Sequence, residues 1–277
     1  MLRIYRSDAV EIVERKTLKV VILCGGYGTR IRDVADDIPK PMITIGHYPI
    51  LWHIMKYYAS FGFKDFILCL GYKGQIIKDF FRNYEAHTKD FTILLGHGGG
   101  DIQFHTRHDE SDWRVTLAET GLNAMTGARV RKIKKYLGED ENFMLTYGDG
   151  LGDVDISSLL TAHKNHGKVL TVTGVRPPGR FGEIRAESNG LVSEFNEKPQ
   201  ASGGCISGGF FVCRRELFEY LDEREDLVFE VEPVNRLVAD RQICLYEHNG
   251  FWQPMDTSRE YQLLNSLYAK GEAPWVR

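Results

Sequence analysis

Three glycines, two arginines and a lysine crowd the stretch from Leu23 to Met42, LCGGYGTRIRDVADDIPKPM. Gly25, Gly26 and Gly28 let the backbone turn tightly and bring its N–H groups against an anion. Arg30 and Lys40 flank that loop with two cations, which packing does not require and a polyphosphate does. Two familiar phosphate loops are excluded. A Walker A loop ends in Gly-Lys-Ser/Thr, whereas Gly28 is followed by Thr29 and Arg30, and a dinucleotide GxGxxG fingerprint fails at Ile31. A bare glycine turn would serve equally well as a plain connection; the flanking cations favour phosphate.

Two carboxylates stand out far from this loop. MLTYGDG puts Asp149 at the end of an apolar run, and FWQPMDT puts Asp256 just before a helix start. Singly, each fits a structural role, as a turn former and as a helix-start residue. Beside a polyphosphate, hard oxygen ligands suit Mg²⁺. A third feature, Glu197-Lys198-Pro199, is an ordinary charge pair by itself but lies between a strand pattern and GGFF.

The elements that must position these residues alternate. Lys19–Cys24, Asp65–Leu70, Phe91–Leu95, Arg114–Glu119 and Phe143–Tyr147 read as strands. Helical spacing covers Ile50–Phe61 with Gly62 as its stop, Gln75–Tyr84, and the basic Thr126–Leu137 closed by Gly138. Asp155 caps a helix to His166, and Thr257-Ser258-Arg259-Glu260 is a capping box. After Val169 short strands dominate, in VLTVTGV, GEIRAE, LVSEF and GGFFVC. The expected fold class is α/β: a Rossmann-like three-layer, mostly parallel mixed sheet with a small appended β-rich lobe.

Composition narrows the setting. The 277 residues are 43% apolar and 26% charged with net charge -3, ordinary for a globular chain and against nucleic-acid binding. Five scattered cysteines without a CxxC pair read as reduced thiols, and no apolar run is long enough to span a bilayer. We expect a cytoplasmic protein with no membrane partner. His97, His105 and His108 share no zinc-ligand spacing with any cysteine and read as a loop. The Arg129–Lys135 run reads as a solvated face, and Cys24 as a core side chain.

The pattern L-C-G-G-x-G-T-R followed by P-K-P-M resembles the signature of the sugar-1-phosphate nucleotidyltransferases. By that resemblance Leu23, Cys24, Gly25, Gly26, Gly28, Thr29, Arg30, Lys40, Gly148 and Asp149 bind the nucleotide. Asp149 and Asp256 hold Mg²⁺, and Arg30, Lys40 and Lys198 serve catalysis. Thr126, Gly127, Gly182, Glu197, Lys198, Ser207 and Gly208 meet the sugar phosphate, with Ser207 where an asparagine is more usual. The stretches Trp113–Gly121, Met125-Thr126-Gly127, Arg176–Gly182 and GFWQPMDT look like the glucose-1-phosphate cytidylyltransferase branch. The resemblance implies CTP and a sugar 1-phosphate as partners, α-D-glucose 1-phosphate first among them, with CDP-glucose and pyrophosphate as products. It also implies a homo-oligomer, with a hexamer as one candidate, and a product that leads to deoxysugars of bacterial surface polysaccharides such as lipopolysaccharide O-antigen. Residues 1–17 are then a polar extension and 18–277 one nucleotidyltransferase domain: 18–168 for the nucleotide, 169–277 for the sugar phosphate and the last helix. Open alternatives are another NTP, another sugar or polyol phosphate, or a catalytically idle regulatory paralogue that binds nucleotide sugar.

Overall fold

Apolar and β-branched segments become the strands of one central sheet. They are β1 (Lys19–Leu23), β2 (Asp65–Leu70), β3 (Arg114–Glu119), β4 (Asn142–Tyr147), β5 (Leu170–Val175), β6 (Ile206–Arg214) and β7 (Ile243–His248). The computed structural model describes residues 18–28, 31, 37–95, 102–106, 108–176, 183–187, 191–196 and 204–277. Across the sheet the order is β7-β5-β6-β4-β1-β2-β3. β6 runs antiparallel to both β4 and β5, and every other pair in the sheet is parallel.

Because side chains alternate along a strand, β1, β2, β4 and β6 each feed two cores. Val20, Ile22, Phe66, Leu68, Met144 and Val212 face one cluster; Val21, Ile67, Cys69, Phe143, Leu145 and Phe211 face the other. Helices α1 (Ile50–Ser60), α5 (Ile156–His166) and α7 (Ser258–Ala269) contribute to the first cluster. Helices α4 (Thr126–Lys132) and α6 (Glu232–Ala239) contribute to the second. The result is the three-layer α/β architecture expected from the sequence.

Caps behave as the sequence predicts. Asp155 accepts from the Ser158 N–H, and Gly167 ends α5 with φ 62°. Thr257 and Glu260 form a reciprocal capping box on α7. Other expectations shift. The Gln75–Tyr84 helix divides into α2 (Gly74–Arg82) and α3 (Tyr84–Thr88), separated at Asn83. The predicted Thr126–Leu137 helix stops at Lys132, and a 3-10 turn over Lys134–Tyr136 continues it. Phe91–Ile93 pairs with Ile102–Phe104 in a hairpin outside the central sheet. Of the strands read into a lobe, β5 and β6 join the central sheet, while Glu183–Ala186 and Val192–Asn196 form a separate hairpin. Long-range pairing decides that membership, and local periodicity does not carry it. All five cysteines are free. Among the described residues no helix is long and apolar enough to cross a membrane.

Candidate active site

In open α/β sheets ligands settle in the crevice beyond the carboxyl ends of the strands. Here that crevice lies over β1, between β4 and β2. Leu23 is in register with Tyr147 on one side and Cys69 on the other. Past the strand ends the pairing continues: the Cys24 N–H donates to the Cys69 carbonyl at 3.1 Å, and the Gly148 N–H to the Leu23 carbonyl at 3.0 Å. A Cβ on Gly148 would lie 2.9 Å from that carbonyl oxygen, so glycine lets the two turns meet. Leu23, Cys24 and Gly148 thus spend backbone groups on framing the crevice. Burial pushes the Cys24 thiol well above its ordinary value, so it stays protonated and inert at neutral pH. Gly28 adopts φ 62°, a left-handed conformation that a side chain would strain, and packs against the stem of Lys40.

Arg129 corrects the sequence reading. Its neighbours Arg131 and Lys132 pair outward with Glu223 and Glu225. Arg129 is only 4% exposed, and its guanidinium lies beneath the glycine loop. Nη1 donates to the Leu70 carbonyl at 2.9 Å, the Gly121 carbonyl at 2.8 Å and the Thr120 hydroxyl at 2.8 Å. Nη2 donates to the Gly25 carbonyl at 3.0 Å and the Leu122 carbonyl at 3.2 Å. A Cβ on Gly25 would fall 2.2 Å from Nη1, and one on Gly71 2.5 Å, so two glycines make room for the cation. One buried arginine thereby ties the ends of β1 and β2 to the loop after β3.

The two distant carboxylates meet on a lysine. Lys40 begins a 3-10 turn, Lys40–Met42. Its Nζ lies 2.6 Å from Asp149 Oδ2 and 2.5 Å from Asp256 Oδ1, with the lysine side chain 10% exposed. A short ladder makes this possible: Trp252–Pro254 pairs with Gly150–Gly152, and the Met255 N–H donates to the Asp149 carbonyl at 2.9 Å. Glu260 of the capping box accepts from the Asp256 N–H at 2.7 Å, so the start of α7 fixes the second carboxylate. Burial lowers the Lys40 pKa, but Asp149 and Asp256 together outweigh it and leave it raised, so the ammonium is charged. Two carboxylates converging on one cation are a donor set suited to a divalent metal completed by phosphate oxygens and water. Among the described residues no three His, Cys, Asp or Glu side chains form a closed metal cage.

Two cavities adjoin these carboxylates. One of about 410 Å³ is lined by the glycine loop, Lys40, Leu122 to Thr126, Arg129, Tyr147, Gly148, Asp149 and Asp256. The other, of about 260 Å³, is lined by Tyr147, Asp149, Ser207, Gly208, Trp252 and Asp256 among others. Tyr147 lies between them. Its ring fills the space a Cβ of Gly209 would take, at 2.4 Å, and its hydroxyl donates to Glu230. Thr126 also donates to Glu230, at 2.7 Å, and lines the first cavity, while Glu230 lines a third cavity together with Ser207. Gly127 is buried against Leu227, whose carbonyl takes its N–H at 2.9 Å. Thr29, Arg30, Gly182, Glu197 and Lys198 lie outside the described residues, as does His97. His105 contacts Thr92, and His108 sits near Glu85 and Glu110. Sequence reasoning missed Arg129, Tyr147 and Glu230. The glycines facing Arg129 were the only trace of its role, and nothing local marked Glu230.

Known proteins similar to this chain place it in a family. A family model described as nucleotidyl transferase matches residues 19–257. The chain is 45% identical over 258 residues to a glucose-1-phosphate cytidylyltransferase of Salmonella typhi, covering 93% of this chain and 98% of that one. It is 41% identical over 258 residues to a probable glucose-1-phosphate cytidylyltransferase of Bacillus subtilis, covering 93% and 99%. The fold resembles that of HddC from Yersinia pseudotuberculosis, with TM-score 0.62 at 21% identity over 91% of this chain and 100% of that one. It also resembles a UDP-glucose pyrophosphorylase, with TM-score 0.65 at 16% identity over 92% and 99%. A match along most of the chain, and relatives above 40% identity over nearly their whole length, make this protein a member of the nucleotidyl transferase family.

Proposed function

We propose that this protein transfers a cytidylyl group from CTP to α-D-glucose 1-phosphate, giving CDP-glucose and pyrophosphate. The observation that carries the reading is the meeting of Lys40, Asp149 and Asp256 where two cavities adjoin, in a chain 45% identical to a glucose-1-phosphate cytidylyltransferase. The glycine loop and Lys40 border the larger cavity, which suits a nucleoside triphosphate. Ser207 and Gly208 border the smaller, which suits the sugar phosphate.

A phosphate monoester has a second pKa of ~6, so the nucleophile is already anionic and needs no general base. An oxygen of glucose 1-phosphate attacks the α-phosphorus of CTP; the new P–O bond forms as the α–β bond breaks and pyrophosphate takes the electron pair. Lys40 neutralises charge on the triphosphate side, and the loop amides hold its oxygens. Arg129 holds the loop beneath the triphosphate, and Tyr147 separates the two substrates. Asp149 and Asp256 would hold Mg²⁺, which when bound neutralises phosphate oxygens and orients them for in-line transfer. Thr29, Arg30, Gly182, Glu197 and Lys198 belong to the same reading on the sequence pattern alone. The same reading makes the protein a cytoplasmic homo-oligomer whose product feeds deoxysugars of surface polysaccharides, and light scattering checks the assembly.

The test is direct. Purified protein, Mg²⁺ and glucose 1-phosphate are mixed with each of the four NTPs in turn, and pyrophosphate is measured. Release with CTP well above the other three is expected. Release with another NTP and none with CTP would reassign the nucleotide.

A further inference from the structure

We propose that Lys40 and the divalent cation are alternative occupants of the same carboxylate pair, so that the metal enters only as the triphosphate draws Lys40 away. This inference rests on the reading of Asp149 and Asp256 as metal ligands.

The argument is one of charge and space. The Lys40 ammonium has three donors, and two are taken by Asp149 Oδ2 at 2.6 Å and Asp256 Oδ1 at 2.5 Å. A bound Mg²⁺ needs those oxygens at about 2.0–2.1 Å. An ammonium and a dication cannot share one pair of oxygens at such distances without strong mutual repulsion. One of the two must therefore leave. Lys40 can do so cheaply, because its flexible stem stands in the cavity that the glycine loop lines, so its ammonium can turn from the carboxylates to a phosphate without entering bulk water. The carboxylates gain as well. Held by Gly150–Gly152, by the ladder opposite it and by the capping box, they are fixed near one another. Lys40 neutralises their repulsion and keeps the site formed before substrate arrives. Triphosphate and metal then bind cooperatively through one shared side chain, a coupling that requires no larger movement of the fold.

The experiment titrates Mn²⁺ into the full chain without nucleotide. Free Mn²⁺ is read by electron paramagnetic resonance and the melting temperature is read in parallel. Lys40→Met removes the charge and keeps the length, with Lys40→Gln as a second variant should the first fold poorly. Wild type should bind Mn²⁺ weakly. Lys40→Met should bind it on the order of 10-fold more tightly or better, the scale of ordinary site-to-site coupling. Its melting temperature should rise with Mn²⁺ while that of wild type barely moves. Adding Asp149→Asn to Lys40→Met should abolish the gain. Wild type binding Mn²⁺ as tightly as Lys40→Met, with Asp149→Asn weakening both, would overturn the exchange and leave the metal site standing. Mn²⁺ binding indifferent to Asp149→Asn in every background would remove the metal reading, and the exchange with it.

Discussion

Replacing Arg129 by Met tests whether a buried cation holds the loop in place. The change keeps an unbranched stem and removes five donated hydrogen bonds. Each such bond to a charged donor contributes roughly 1.5–3 kcal/mol, but the acceptors are not equally dependent on it. The Leu70 carbonyl also accepts from the Thr120 N–H and hydroxyl, and the Gly25 carbonyl also accepts from the Tyr72 N–H. The Gly121 and Leu122 carbonyls are only part-buried and can turn to water. A simple sum therefore overshoots, and we expect a loss of about 2–4 kcal/mol. For a chain of this size that lowers the melting temperature by roughly 4–15 °C. Because the freed groups belong to the glycine loop and to the cavity wall, KM for the nucleotide should rise more than KM for the sugar phosphate. Gly25→Ala should behave alike, since its Cβ would collide with Nη1. Thermal melts and initial-rate kinetics on both variants decide the matter. An Arg129→Met protein that melts within a degree or two of wild type, with unaltered nucleotide KM, would refute the reasoning.

Other expectations concern the carboxylates, a buried histidine and a cap. Asp149→Asn and Asp256→Asn should fold and lose about 10²–10³-fold in turnover, read as pyrophosphate release, since each removes a pre-positioned charge; near-normal rates would remove both from the chemistry. His163 is buried and, chiefly through burial with help from His166 and Arg214, is held down to about 4. Unfolding returns it to about 6.5, so the unfolded chain binds the extra proton in between and stability falls as pH drops from about 6.5 to about 4, by on the order of 3 kcal/mol. Urea melts at stepped pH check this, and His163→Gln should flatten that window. Thr257→Ala removes half of the capping box at a cost of about 1 kcal/mol; because Glu260 also accepts from the Asp256 N–H, turnover should fall too.

Much of the frame was legible from local pattern. Continuous apolar runs marked β1, β2 and β4, because a strand buried on both faces has no polar side to show. Asp155, Gly167, Thr257 and Glu260 announced helix ends because a cap acts within one turn. The glycine loop and Lys40 were legible through spacing. What escaped depends on partners remote in the chain. Arg129 sits among basic neighbours and looks like them; its burial follows from glycines at 25 and 71, which only the fold brings beside it. The pairing of β6 with β4 and β5 decided that those strands belong to the central sheet, and no periodicity encodes a pairing partner. Phe91–Ile93 has the apolar character of a core strand yet forms a half-exposed hairpin.

The bond between Lys40 and Asp256 spans 216 positions of the chain, and the Gly46 N–H reaches Asn265 across 219. Trp275, nearly at the end of the sequence, is fully enclosed by the first core. Contacts of such high sequence separation close late in folding, because the intervening loop entropy must be overcome first. In refolding from denaturant, enzymatic competence should therefore return with the slowest phase, in step with the enclosure of Trp275.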